Sequence, residues 1–270
     1  MRELVVLVDG ADRDPAAPAV GPLDAGLLGH GVYESIRTYD GVPFGLDEHL
    51  ARLAAGAGAL DIPCPTADLA REVPEAVRLR AAAGEARIRV FLTAGGTRIV
   101  IADALPDRRL ERDRGLAAVI LPWPRDPAGP TAGVKVSSTA ATRVGQRYAT
   151  EHAAATGIWV TPAGTVSEAL AANVFAVVDG VVVTPPLSDG ALAGVTRSKI
   201  LRFAADDGVA CAERSLAVAD LAAAPEAFVS ATSEPVVPLV RLDGRAIGDG
   251  TRGPVTRRLQ EVFDRRARGG

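Results

Sequence analysis

Nine residues, Gly31–Tyr39 (GVYESIRTY), followed at once by Asp40-Gly41, constrain this chain more than any other stretch. Val32, Glu34, Ile36 and Thr38 alternate with Tyr33, Ser35, Arg37 and Tyr39. A period of two fits a strand with two unlike faces and does not fit a helix. Asp-Gly is a pair that tolerates positive φ at both positions, so the chain is expected to reverse there in a two-residue hairpin, returning over 42–46. The device recurs at Asp179-Gly180, between 173–178 and 181–184, and a further turn is expected at Asp243-Gly244. Other strands are expected at 3–8, 87–94, 99–104, 116–121, 134–138, 158–161, 228–231 and 238–242. Residues 10–22 read as a loop. Helices are expected at 48–59, capped by Asp47, and at 66–83, 141–156, 196–206 and 254–266. The helix at 141–156 is expected to turn Ala149, His152 and Ala153 inward, and the tail RRARGG is expected to fray. Hairpin strands mixed with helices in two halves define an α+β fold. The run PWPRDPAGPTAG, with its four prolines, reads as a linker over 122–133. It separates a smaller N-terminal α+β domain, 1–121, from a larger C-terminal domain, 134–270.

Composition excludes several classes. The 270 residues are 48% hydrophobic but only 4% aromatic, so the core must be built from Ala, Val, Leu and Ile. A net charge of −3 gives no basic excess for nucleic acid. The start, MRELVVLVDGAD, reads as a strand and not a signal peptide, and no run approaches the ~18 apolar residues of a membrane span. A cytoplasmic protein is expected. Cys64 and Cys211 stand alone, without metal spacing, and read as buried reduced thiols. Neither GxGxxG after a strand nor GxxxxGK[ST] occurs, which argues against the common nucleotide-binding folds.

The chain has two lysines, Lys135 and Lys199. Lys135 follows the linker and opens a Val/Ser/Thr run, whereas Lys199 sits at helical spacing suited to a solvent face. A lysine that attacks carbonyls needs burial or a cationic neighbour to lower its pKa. Glu168 precedes an expected strand and is either a solvated carboxylate or one that holds a pyridine nitrogen protonated. Gly194-Val195-Thr196 opens a helix, where backbone N–H groups and a hydroxyl bind phosphate or simply cap the helix. Thr232 offers a second hydroxyl, and Arg52 a charged partner for such an anion.

Together these stretches resemble the class IV, or fold-type IV, aminotransferases that use pyridoxal 5′-phosphate. That group includes D-amino-acid and branched-chain aminotransferases and aminodeoxychorismate lyases. The resemblance rests on GHGVYESIR (29–37), GVPFGLDEHLARL (41–53), GVK (133–135), GTVSEALAANVFAV (164–177), VVVTPPLSDGALAGVTR (181–197) and FVSATSEPVVPL (228–239). It implies a two-domain enzyme with the cofactor in the interdomain cleft and bound mainly by the C-terminal domain, usually as a homodimer. Lys135 is implied to be the Schiff-base lysine and Glu168 the partner of the ring nitrogen. Arg52, the Val195 backbone, Thr196 and Thr232 are implied to hold the phosphate, with Ser233 adding a hydrogen bond. Tyr33 is implied to face the substrate side.

The chain departs from its relatives after the lysine, where many carry Tyr or Asn near the cofactor's ring hydroxyl. Here VSSTAATR follows, leaving Ser137, Thr139 or Arg143 to substitute. Tyr33-Glu34 and Thr232-Ser233-Glu234 are closer to the D-amino-acid enzymes, so an amino group moving between a D-amino acid and a 2-oxo acid is the expected reaction. An aminodeoxychorismate lyase that releases pyruvate, and an L-branched-chain aminotransferase, are the alternatives. Arg37, Arg87 and Arg89 are candidates for the substrate carboxylate, because Arg binds it bidentately; inter-strand ion pairs are the plainer role for each.

Overall fold

A computed structural model describes residues 2–21 and 23–269. Gly270, the end of the tail expected to fray, lies outside them, as does Pro22 of the expected 10–22 loop. Two compact units emerge. The first runs through Pro106 and takes in Val134–Thr139; the second comprises Asp107–Gly133 and Ala140–Gly270.

In the first unit, strands β1 (Val5–Val8), β2 (Ala11–Arg13), β3 (Gly31–Tyr39), β4 (Val42–Pro43), β5 (Ala86–Thr93) and β6 (Arg98–Ala104) form one sheet. Its order is β2-β1-β6-β5-β3-β4, and every pairing within it is antiparallel. Helices α1 (Leu46–Gly58) and α2 (Thr66–Arg80) supply Leu50, Leu53, Leu69 and Val73 to its core. Those residues pack with Val32, Ile36, Ile88, Val90 and Val100, which all point to one face of the sheet because side chains alternate along a strand. Asp40 and Gly41 have φ of 51° and 78°, as the two-residue hairpin requires. Asp47 is not the cap of α1. Gly45 in the left-handed region precedes the helix, and Asp47 sits in its first turn, where its charge suits the helix dipole.

The second unit adds α3 (Arg109–Arg114), β7 (Leu116–Ile120), α4 (Ala140–Glu151), β8 (Thr156–Val160), β9 (Val166–Ala169), β10 (Asn173–Val178), β11 (Val181–Thr184), α5 (Val195–Asp206), β12 (Cys211–Glu213), α6 (Val218–Ala223), β13 (Glu226–Ser230), β14 (Val237–Leu242), β15 (Arg245–Ala246) and α7 (Pro254–Ala267). Its sheet runs β12-β11-β10-β13-β14-β7-β8-β9, with β15 beside β14. The stacked rings of Phe175 and Phe228, 4.6 Å apart, face each other across β10 and β13.

The division departs from the expected one on both sides of the linker. β7 pairs in parallel with β14 and β8, so it belongs to the second sheet although it precedes the prolines. Residues 134–139 group with the first unit instead of opening the second. The expected strand at 134–138 is a single bridge, Val136 to Val32. Helix α4 ends at Glu151, and Ala153 adopts φ of 55°, so His152 and Ala153 lie exposed instead of inward; of the three, Ala149 alone is buried.

Candidate active site

Lys135 is placed by backbone pairing. Tyr33 N–H donates to the Lys135 carbonyl at 3.0 Å, and Ser137 N–H donates to the Gly31 carbonyl at 2.8 Å. The segment after the linker is thereby pinned along β3, and the lysine side chain points at Tyr33. Its Nζ lies 3.3 Å from the Tyr33 hydroxyl and 4.3 Å from the ring centroid. Tyr33 itself stacks on Phe91 of β5, its direct partner in the register. Ser137, a candidate for the missing ring-hydroxyl partner, directs Oγ to the Gly29 carbonyl. Thr139 and Arg143 are exposed.

Arg52 on α1 reaches Glu34 with two parallel bonds, Nε to Oε1 at 2.6 Å and Nη2 to Oε2 at 2.8 Å. Glu34 lies on the core side of β3 and is fully buried. His49 Nδ1 also lies 2.8 Å from Glu34 Oε2. Burial alone would raise the Glu34 pKa, but hydrogen bonds from His49 and Arg52, with the Arg52 charge, hold it down at about 2. Arg52 is among the expected site residues, whereas its partners Glu34 and His49 are not. The signal was present: a carboxylate between Val32 and Ile36 on an apolar face requires buried partners.

Arg37, Arg87 and Arg89 share the other face of that sheet with Tyr33. Arg37 sits directly across from Arg87, and Ser35 from Arg89. Asp103 on β6 pairs with both Arg87, at 3.0 and 2.5 Å, and Arg89, at 3.0 Å. Arg37 lies 4.2 Å over the Tyr39 ring.

The other candidates fall in the second unit. Glu168, at the end of β9, is 8% exposed. Its Oε1 meets Arg125 at 2.7 Å, and its Oε2 accepts the Leu192 N–H at 2.8 Å. Arg125 is positioned by its own backbone N–H, which donates to the Val160 carbonyl at 2.8 Å. Nothing in the sequence singled out Arg125, because it lies within the proline-rich run. Val195 and Thr196 form the first turn of α5 and are nearly buried; no side chain caps that helix. Thr232 and Ser233 lie half-buried in the loop between β13 and β14. Lys199, expected on a solvent face, is 7% exposed instead, because the stripe of α5 carrying Thr196, Ile200 and Phe203 turns inward and takes it along.

The chain matches the sequence profile of the amino-transferase class IV family over residues 31–242. It is 30% identical to the D-alanine aminotransferase of Bacillus licheniformis, over 96% of this chain and 95% of that one. The crystal structure of the Escherichia coli branched-chain amino acid aminotransferase superimposes with a TM-score of 0.89 at 27% identity, covering 96% of this chain and 93% of the other. A hypothetical aminotransferase from Mycobacterium tuberculosis, in its PLP-bound form, gives 0.88 at 28% identity over 96% and 97%. The chain belongs to the class IV aminotransferases, with the fold-type IV architecture. It is a transaminase that depends on pyridoxal phosphate. Each unit carries groups of a kind that fits pyridoxal phosphate: a lysine amine beside a phenol in the first, and an uncapped N-terminus on α5 and a buried carboxylate in the second. Among the described residues no helix is long and apolar enough to cross a membrane.

Proposed function

We propose that this aminotransferase moves an amino group from a D-amino acid to a 2-oxo acid, with Lys135 as its covalent and proton-transferring residue. The observation that carries the reading is Lys135 Nζ held 3.3 Å from the Tyr33 hydroxyl by a segment hydrogen-bonded to β3. Bound pyridoxal phosphate supplies an aldehyde for an amine and a ring that takes up electrons from the substrate Cα. Nζ of Lys135 removes the Cα proton and returns it as acid, while Tyr33 orients the amine. Glu168, fixed by Arg125 and the Leu192 N–H, would accept a hydrogen bond from the ring nitrogen and hold it protonated. Arg52, the Val195 backbone, Thr196, Thr232 and Ser233 hold the phosphate, and Glu34 keeps Arg52 in place. Arg87 and Arg89 share the single carboxylate of Asp103, and Arg37 lies directly across from Arg87; arginines clustered on one sheet face suit a substrate carboxylate.

The preference for D-amino acids is supported by Tyr33-Glu34, by Thr232-Ser233-Glu234 and by the similarity to a D-alanine aminotransferase. Similarity to a branched-chain enzyme favours a second reading, L-branched-chain amino acids. The protein acts in the cytoplasm as a homodimer on this proposal. Leu23, Leu27 and Leu28 support the dimer, being 98%, 60% and 90% exposed on one loop. The deciding experiment is the visible absorbance of the cofactor-loaded protein on adding D-alanine or L-leucine without an acceptor. Bleaching by D-alanine alone is expected. Bleaching by L-leucine alone would transfer the assignment to the branched-chain reading, and no bleaching with pyruvate release from aminodeoxychorismate would transfer it to the lyase.

A further inference from the structure

We infer that Asn173 is a positioning residue that sets the first turn of α5 against the Thr232 loop. The inference rests on the reading that the cofactor's phosphate is held at Val195, Thr196 and Thr232. Asn173 opens β10 and is 5% exposed. Its backbone pairs with Ser230, the last residue of β13 and two positions before Thr232. Its side chain reaches the other candidate phosphate segment. Nδ2 donates to the Leu192 carbonyl at 2.9 Å, and a Cβ added to Gly194 would lie 2.0 Å from Oδ1.

That contact explains the glycine. Gly194 has φ of −67° and ψ of 125°, which any residue adopts, so it is there for space and not for backbone freedom. Leu192 is held through both of its backbone polar groups: its N–H donates to Glu168 and its carbonyl accepts from Asn173. Thr196 follows Gly194 by two residues. One buried amide therefore touches the chain just before Thr196 and is registered to the strand just before Thr232. Aspartate in its place would lose the donor and set a charge against a carbonyl, and a larger apolar group would collide with Gly194. Helix N–H donors bind a phosphate only where their axis is aimed at it, so the position of the first turn matters more than its mere existence.

The test uses the full chain stripped of cofactor and titrated with pyridoxal phosphate and, separately, with pyridoxal, which lacks the phosphate. Asn173→Ala is expected to weaken pyridoxal phosphate binding about tenfold and to leave pyridoxal binding within about twofold. Equal losses for both ligands, or no loss, overturn the inference. Thr196→Ala in the same assay examines the underlying reading, and a loss confined to pyridoxal phosphate is expected. If Thr196→Ala shows that selectivity and Asn173→Ala does not, the inference alone falls. If Thr196→Ala shows none, both fall. Should Asn173→Ala not fold, Gly194→Ala addresses the same contact from the opposite side by driving a methyl into Oδ1. The same selective loss is expected there, and an unselective or absent loss overturns the inference.

Discussion

Glu34 shows how one buried charge organises its neighbours. Its carboxylate takes two bonds from Arg52 and faces His49, and its pKa falls to about 2 from an ordinary 4.5. Because the folded value is depressed, the network's stabilisation is fully present above about pH 4.5 and is lost as pH falls towards 2. Removing one partner of a buried pair costs on the order of 3 kcal/mol. Glu34→Gln is therefore expected to unfold at lower urea than the wild type at pH 6, with the gap narrowing below pH 4. A gap that stays constant from pH 6 to pH 3 would refute the pairing. At the proposed covalent residue, Lys135→Ala is expected to abolish turnover and the visible absorbance of bound cofactor with the fold intact; retention of both would remove Lys135 from its role. Tyr33→Phe keeps the ring on Phe91 and removes only the hydroxyl near Nζ, so kcat/KM is expected to fall about tenfold without loss of stability. Much at this scale was legible. A lysine in a lysine-poor chain, and a carboxylate on an apolar strand face, both stand out in the sequence. Arg125 and Asn173 did not, because their importance lies in partners, Glu168 and Leu192, that are far away in the chain.

Among elements, those whose ends are chemically marked were read well. β3, β10 and β11 begin and end where alternation and the Asp-Gly turns place them. Strands of two or three residues, β2, β12 and β15, and the six-residue helices α3 and α6 carry too few residues for a period to emerge. They are fixed by partners instead, as β12 is by its parallel pairing with β11. The proline-rich run 122–133 breaks the pattern, but pattern does not say which sheet or unit a flanking segment joins. β7 joins the second because its partner β14 lies over a hundred residues on. Glycines test whether turns or space govern an element. Gly180 has φ of 77° and open space around its missing Cβ, so Gly180→Ala meets backbone strain alone and is expected to cost about 1 kcal/mol. Gly58, the last residue of α1, has open space and ordinary φ, so Gly58→Ala is expected to stabilise by up to about 1 kcal/mol. Urea midpoints shifting the same way in both variants would show that local conformation is not what separates them.

For the molecule as a whole, the loop of Leu23, Leu27 and Leu28 is the feature that a lone chain leaves unexplained. Scattered exposed leucines are ordinary, but three on one short loop, two of them at least 90% exposed, are not. The loop is also tied to β5 and its turn through Asp24. Asp24 accepts the Gly26 N–H at 2.7 Å and the Thr93 and Thr97 hydroxyls at 2.8 Å each. Burial would raise the Asp24 pKa, yet these bonds keep it below the usual carboxylate range, so the clasp stays ionised at neutral pH. Three leucines are thus presented to solvent beside a hydrogen-bonded clasp, and chain ordered before binding loses less entropy when a partner covers it. A second copy of the chain is the partner that the proposed homodimer provides. Leu28→Asp is expected to shift the sedimenting species from dimer to monomer at micromolar protein, since a charge there would be desolvated by the interface. The unfolding midpoint of the separated monomer should change little, because the residue is solvent-exposed within one chain. A dimer unaffected by Leu28→Asp and by Leu27→Asp would place the interface elsewhere, and a wild type that sediments as a monomer at all concentrations would end the dimer proposal itself.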